Sequence, residues 1–181
     1  MPHSQAPRLT LVLGGARSGK SRHAEALAAA RPAPWLYIAT AEARDEEMRA
    51  RIAEHRARRG PGWETVEAPF ELAEAIAGTT GAQVDGGHGA ILIDCLTLWL
   101  TNIMLAEHDI AAEKAKLLHA MARAEKPVIA VSNEVGLGIV PDNALARRFR
   151  DEQGRLNAEI AAMAGHVVLM AAGLPLTLKG G

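Results

Sequence analysis

Short unbroken apolar runs alternate along the chain with longer stretches whose apolar residues recur at helical spacing. The runs occupy residues 9–13, 35–39, 90–93, 128–131 and 166–170, and residues 174–178 add a short edge strand after a turn at Gly173. Apolar residues at consecutive rather than alternate positions mark strands covered on both faces. Helices are predicted over 19–30, 44–59, 71–77, 96–107, 111–125 and 143–164. The first is alanine-rich and stops before Pro32 and Pro34, and the second ends at Gly60-Pro61. The last carries Leu145, Phe149, Leu156, Ile160 and Met163 at helical spacing, with Asp142 or Asn143 as its N-cap. The glycine-rich stretch 78–89 reads as a surface connection.

Strands alternating with helices predict an α/β fold, a mostly parallel central sheet with helices on both faces. Crossovers in such sheets are right-handed, so ligands gather at the carboxyl ends of the strands. No repeat or linker divides the chain, which is expected to form one domain over 9–181 after a short polar extension, 1–8. With 181 residues, nearly half of them apolar, there is enough chain to bury a core. Charge is balanced, 20 basic against 21 acidic residues, which argues against a nucleic-acid partner. Cys95 is the one cysteine; an intrachain disulfide and a cysteine zinc site are excluded, and a reducing cytoplasm is expected. Residues 1–8 lack the apolar core of a signal peptide. The longest apolar stretch, 90–106, is interrupted by Asp94, Thr97, Thr101 and Asn102, so no membrane span is expected.

The chemistry enters directly after the first strand. Gly14-Gly15-Ala16-Arg17-Ser18-Gly19-Lys20-Ser21 fits G-x-x-x-x-G-K-[ST], the phosphate-binding loop. Glycines let the backbone curl so that several N–H groups face phosphate oxygens, and the following helix adds its positive N-terminal end. Lys20 is expected to reach the β and γ phosphates and the Ser21 hydroxyl to bind Mg²⁺. These features specify the sandwich as a P-loop NTPase-type fold acting on a nucleoside triphosphate.

The third run ends in Asp94, where P-loop enzymes place the acid that holds Mg²⁺ or its water; the alternative is a cap for the next helix. Glu134 follows the fourth run at the same sheet edge. With Asn133 it opens a glycine-rich, apolar stretch to Pro141, read either as a wall for a second substrate or as local packing.

In the second helix His55 shares a face with Met48 and Ile52. A lone histidine there is either structural or functional. Arg51, Arg56, Arg58 and Arg59 surround it, either as a solvated face or as a polyphosphate clamp that keeps the imidazole neutral. A neutral histidine facing a triphosphate can attack phosphorus and carry a nucleotidyl group.

Together these segments resemble the bifunctional adenosylcobinamide kinase/adenosylcobinamide-phosphate guanylyltransferases of cobalamin assembly. The resemblance runs from Leu9 to Lys179. It rests on GGARSGKSRHAE from Gly14, LYIAT from Leu36, DEEMRARIAEHRARR from Asp45 and SNEVGLGIVPDNALARRFRDEQGRLN from Ser132. It implies two reactions: phosphorylation of adenosylcobinamide by ATP or GTP, then transfer of GMP from GTP to the new phosphate with release of pyrophosphate. It further implies that His55 carries the guanylyl group, with His23 as an outer-shell or packing residue, and that Ile38, Ala39, Thr40, Arg56, Ala57, Arg58, Arg59, Glu67 and Asp94 line the GTP site. Some family members carry Glu where this chain has Asp94, one methylene shorter. A homo-oligomer, a trimer being one form, is implied as well. The alternative is a simple P-loop kinase with a structural His55.

Overall fold

A computed structural model of the chain describes residues 8–42, 46, 49, 50, 53, 57, 59–79 and 87–180. In chain order the elements are β1 (Leu9–Gly14), α1 (Lys20–Ala29), β2 (Trp35–Ala39), β3 (Trp63–Glu67), α2 (Leu72–Ala77), β4 (Ala90–Asp94), α3 (Leu96–Leu105), α4 (Ile110–Arg123), β5 (Val128–Asn133), α5 (Ala144–Met163), β6 (His166–Ala171) and β7 (Leu174–Lys179). Much of the expected helix over 44–59 lies outside the described residues; Glu46, Arg49, Ala50, Ala53 and Ala57 are helical and exposed.

The strands form one sheet in the order β3-β2-β4-β5-β1-β6-β7. The first six run parallel, and β7 returns antiparallel along β6 as the predicted edge strand. β1 is central, held in register by β5 on one side and β6 on the other. Every residue of β1 is buried, as a strand covered on both faces requires.

β3 escaped the pattern reading. Its sequence, Trp-Glu-Thr-Val-Glu, is mostly polar, and only Trp63 is part-buried. An edge strand needs no continuous apolar run, because it is held by backbone pairing to β2 and exposes much of its side-chain surface.

Two apolar layers sandwich the sheet. On one face Leu9, Leu11, Leu36, Ile38, Ile91 and Ile93 meet Leu72, Trp99, Leu100, Ile103, Leu117, Leu156 and Ile160 from α2–α5. The opposite face carries Val12, Tyr37, Leu92, Ile129, Val131 and Val168 beneath Ala24 and Ala28 of α1. Alanines on α1 permit close approach to β1, β4 and β5, so the loop that starts this helix is held tightly to the sheet. α3 is apolar nearly all round and lies within the core. Caps are where the residue types predict them: Asn143 Oδ1 accepts from Ala146 N at 2.7 Å, and Asp109 Oδ1 from Ala111 N and Ala112 N. Among the described residues no helix is long and apolar enough to cross a membrane.

Beyond the last ladder bond each strand exit leaves carbonyls to be satisfied, and buried side chains do it. Asn102 Nδ2 on α3 donates to Thr40 O at 2.9 Å and to Pro69 O at 3.1 Å, tying the chain after β2 to the chain after β3. Thr40 Oγ1 accepts from Cys95 N and donates to Cys95 O, both at 2.8 Å, which brings in the exit of β4. Asn102→Ala should leave both carbonyls without that donor in a dry site and lower unfolding free energy by about 2–4 kcal/mol, measured by urea denaturation.

Candidate active site

The predicted phosphate loop forms the turn between β1 and α1. Gly14 leaves the strand with φ 154°. A Cβ there would lie 2.6 Å from Ser18 Oγ and 2.7 Å from Met170 O, so only glycine fits. Arg17 (φ 54°) and Gly19 (φ 93°) are left-handed, which curls the loop. Gly19 is the N-cap of α1 and supplies no side-chain cap, leaving the first-turn N–H groups facing the loop. Lys20 is 8% exposed and donates from Nζ to Gly15 O at 2.5 Å. Its ammonium is thereby folded back over the concavity, where a phosphate would lie. Ser18 Oγ is buried with no hydrogen-bond partner among the described residues. Ser21 is half-buried in the first turn of α1.

Asp94 ends β4, paired with Ala39 at the end of β2. The N-cap of α3 is Cys95 rather than Asp94, so the capping alternative does not describe this residue. Its Oδ2 accepts from Tyr37 Oη at 2.7 Å. The Lys20 and Asp94 charges both bear on the Cys95 thiol, with opposite sign; burial, then Asp94, pushes its pKa up to about 11. The single thiol is therefore protonated at neutral pH and is no nucleophile.

On the far side of β2, Arg59 places its guanidinium carbon 3.5 Å from the centre of the Tyr37 ring. Its Nη2 donates to Thr65 Oγ1 at 3.5 Å, and its Nη1 is buried without a partner among the described residues. Glu67 ends β3 and is exposed. Trp63, Thr65 and Glu67 share a sheet face by strand alternation, as do Tyr37 and Ala39 on β2 and Leu92 and Asp94 on β4.

Most of the described sequence-predicted residues gather at one edge. Gly14, Gly15, Ala16, Arg17, Ser18, Gly19, Lys20 and Ser21 form the loop, and Ala39, Thr40, Glu67 and Asp94 stand at the exits of β2, β3 and β4; Arg59, which precedes β3 and so starts toward the opposite end of the sheet, reaches over Tyr37 with its side chain. Ile38 is fully buried in the core, and the Thr40 hydroxyl is engaged with Cys95, so their side chains serve the shape of the edge. Ala57 is exposed; His55, Arg56 and Arg58 lie outside the described residues. His23 is half-buried, its Nε2 has no partner among the described residues, and burial followed by the nearby His166 lowers its pKa.

Glu134 stands beside the loop: its N–H donates to Gly14 O at 3.1 Å, and its Oε1 accepts from Gly136 N at 2.7 Å. Beyond it Leu137 is 85% exposed and Ile139 97%, with Val140 also exposed. Packing of their own side chains does not account for these residues, which form an exposed apolar rim in the segment after Glu134. A buried polar cluster fixes its root. Asn157 Nδ2 donates to Asn133 O at 3.0 Å, Thr97 Oγ1 accepts from Asn133 N at 2.8 Å, and Ser132, Gln153 and Asn157 bond to one another.

Sequence reasoning missed this cluster and Tyr37. Gln153 and Asn157, one turn apart on the buried stripe of α5, are polar residues among apolar ones, which was the available signal. Tyr37 is the only tyrosine and carries a hydroxyl into an otherwise apolar strand.

The loop geometry separates its first two glycines. Gly14→Ala should weaken GTP binding roughly ten-fold or more, since packing strain of about 1–3 kcal/mol falls on Met170 O and Ser18. Gly15→Ala, with open space around its Cβ position, should leave the stability of the fold near wild type. Calorimetric titration with GTP and thermal melts of both variants check this pair.

Comparison with known proteins places the chain. Its likeness to solved P-loop proteins concerns the fold alone: the RadB recombinase (TM-score 0.51, 18% identity, covering 91% of this chain and 74% of that one) and the assembled EscN ATPase of the enteropathogenic E. coli type III secretion system (TM-score 0.56, 11% identity, 94% and 48%). The sequence is 48% identical over 172 residues to the bifunctional adenosylcobalamin biosynthesis protein CobP of Pseudomonas aeruginosa, covering 94% of this chain and 96% of that protein. To the bifunctional adenosylcobalamin biosynthesis protein CobU of Escherichia coli K12 it is 41% identical over 186 residues, covering 94% and 99%. Residues 10–178 match the family described as cobinamide kinase / cobinamide phosphate guanyltransferase. With the phosphate loop and Asp94 at one edge of a P-loop sheet, the chain belongs to the cobinamide kinase / cobinamide phosphate guanyltransferase family.

Proposed function

We propose that this chain carries out two successive transfers to one acceptor. A nucleoside triphosphate, ATP or GTP, first gives its γ-phosphoryl group to the hydroxyl of adenosylcobinamide. GTP then gives its guanylyl group to the new phosphate through His55, forming adenosylcobinamide-GDP and pyrophosphate. The observation that carries this reading is that the phosphate loop and Asp94 stand at one end of the sheet while Tyr37, bonded to Asp94, carries the Arg59 guanidinium on its ring, Arg59 lying four residues after His55 in sequence.

In the first transfer the loop amides and the first turn of α1 hold the phosphates, and Lys20 offsets charge that builds on them. Ser21 and Asp94 are the residues that would hold Mg²⁺. Two protein oxygen donors suit this ion, which keeps waters and takes further ligands from phosphates, and no group of three or more metal-binding side chains occurs among the described residues. When bound it would neutralise phosphate charge and orient the donor.

In the second transfer a nitrogen of neutral His55 attacks the α phosphorus. The P–N bond forms as the bond to pyrophosphate breaks. The acceptor's phosphate oxygen then displaces the imidazole, so each step is an in-line exchange at the same phosphorus. The exposed rim of Leu137, Ile139 and Val140 supports an acceptor with an extended apolar surface, such as a corrin macrocycle. Leu174, Leu176 and Leu178, exposed along edge strand β7, support a homo-oligomer. The reaction belongs to the cytoplasm in this reading.

Intact mass after incubation with GTP and Mg²⁺ tests the covalent step. The wild type should gain one GMP residue, labile in acid and stable in base, and His55→Ala should gain none while retaining most γ-phosphoryl transfer. Absence of the adduct during turnover would reduce the reading to a plain P-loop kinase.

A further inference from the structure

Tyr37 is buried in β2 between Thr65 of β3 and Leu92 of β4. α1 lies closest to β1, β4 and β5, and at this end of the sheet the aromatic side chains form part of the covering layer themselves. Trp63 packs edge-on against the Tyr37 ring, with centroids 6.2 Å apart and planes at 81°, and Trp35 packs on Trp63 at 5.3 Å. For filling this space phenylalanine would serve as well. The hydroxyl and the aromatic ring face are what phenylalanine or an aliphatic residue would not supply together.

Each of those two features meets one charged group. The hydroxyl donates to Asp94 Oδ2 at 2.7 Å, and the ring face lies 3.5 Å beneath the Arg59 guanidinium carbon. A phenol keeps its proton at neutral pH and a carboxylate can only accept, so the hydroxyl is the donor of this pair. The two partners come from separate parts of the chain: Asp94 from the end of β4, Arg59 from the segment before β3. Tyr37 touches both without itself being exposed at the edge.

We propose that Tyr37 is a positioning residue that fixes Asp94 with its hydroxyl and Arg59 with its ring, setting the acid and the arginine for the nucleotide from one buried side chain. This rests on the reading that this edge binds GTP. The hydroxyl restricts the carboxylate's rotation and withdraws one lone pair of Oδ2, which limits the directions in which Asp94 can offer an oxygen to a Mg²⁺–phosphate complex. The ring holds the guanidinium by cation–π attraction while one of its N–H groups donates to Thr65 Oγ1, which limits where the remaining N–H groups can point.

The two parts are separable by substitution. Tyr37→Phe keeps the ring and removes the hydroxyl; Tyr37→Leu removes both. GTP dissociation constants would be measured by calorimetry, with Mg²⁺ and with EDTA, for wild type, Tyr37→Phe, Tyr37→Leu, Asp94→Asn and the Tyr37→Phe/Asp94→Asn double variant. Tyr37→Phe should weaken binding roughly ten-fold in Mg²⁺, the scale of a hydrogen bond to a charged group, and little in EDTA. In the Asp94→Asn background the same change should have no further effect. Tyr37→Leu should add a several-fold loss that persists in EDTA, because the arginine stack is gone. Wild-type affinity of Tyr37→Phe in Mg²⁺, or additive losses in the double variant, would overturn the proposal while leaving GTP binding intact. Failure of the wild type to bind GTP would overturn the nucleotide reading and this proposal with it. Should Tyr37→Leu not fold, the Tyr37→Phe cycle still decides the hydroxyl's part.

Discussion

Parallel pairing of β1 between β5 and β6 is the constraint on which the site depends. A strand paired in parallel on both sides cannot turn back beside itself, so the chain must leave through a loop and return by a helix. Gly14 stands at that exit, flanked by Asn133 of β5 and Met170 of β6. The backbone carbonyl of Met170 leaves no room for a Cβ at Gly14, and the loop therefore turns tightly over the end of the sheet. Lys20 folding back to Gly15, and the first turn of α1 facing inward, follow from that turn. Small residues on α1, Ala24 and Ala28, keep its start from moving away.

The same parallel arrangement leaves unsatisfied peptide groups at every strand exit on this edge, and buried amides meet them. Asn102 serves the exits of β2 and β3, and Asn157 with Thr97 serves β5. An apolar side chain at either position would fill space but leave carbonyls without donors, a cost of about 1–3 kcal/mol each. These amides also fix the roots of the segments that carry Thr40, Glu134 and the aliphatic rim. Stability of the core and geometry of the site are in this way supplied by the same groups.

The layered sheet is shared with recombinases and secretion ATPases of little sequence likeness, and it does not by itself choose a reaction. What distinguishes this chain lies in the connections between strands: Arg59 stacked on Tyr37 and the glycine-rich aliphatic stretch after Glu134. Chemistry is carried by the exits because loops there tolerate variation that the paired strands do not.

The phosphate loop was legible from sequence because each of its functions is local. Curling, anion binding and metal reach depend on residues within eight positions, and the apolar run before it announces a buried strand. Buried strands and helices were legible for a similar reason, since period and burial coincide within one segment. β3 was not, because an edge strand exposed along most of its length has no apolar pattern to show and exists through its pairing with β2. Nor could the sequence join Tyr37 to Asp94, 57 positions apart, or Asn102 to Thr40, 62 apart. Such contacts depend on strand order, β2 beside both β3 and β4, and strand order is set by the packing of the whole sheet. Local chemistry was thus written in the residues themselves; the meeting of distant charges and amides at one edge was decided only when the strands took their places.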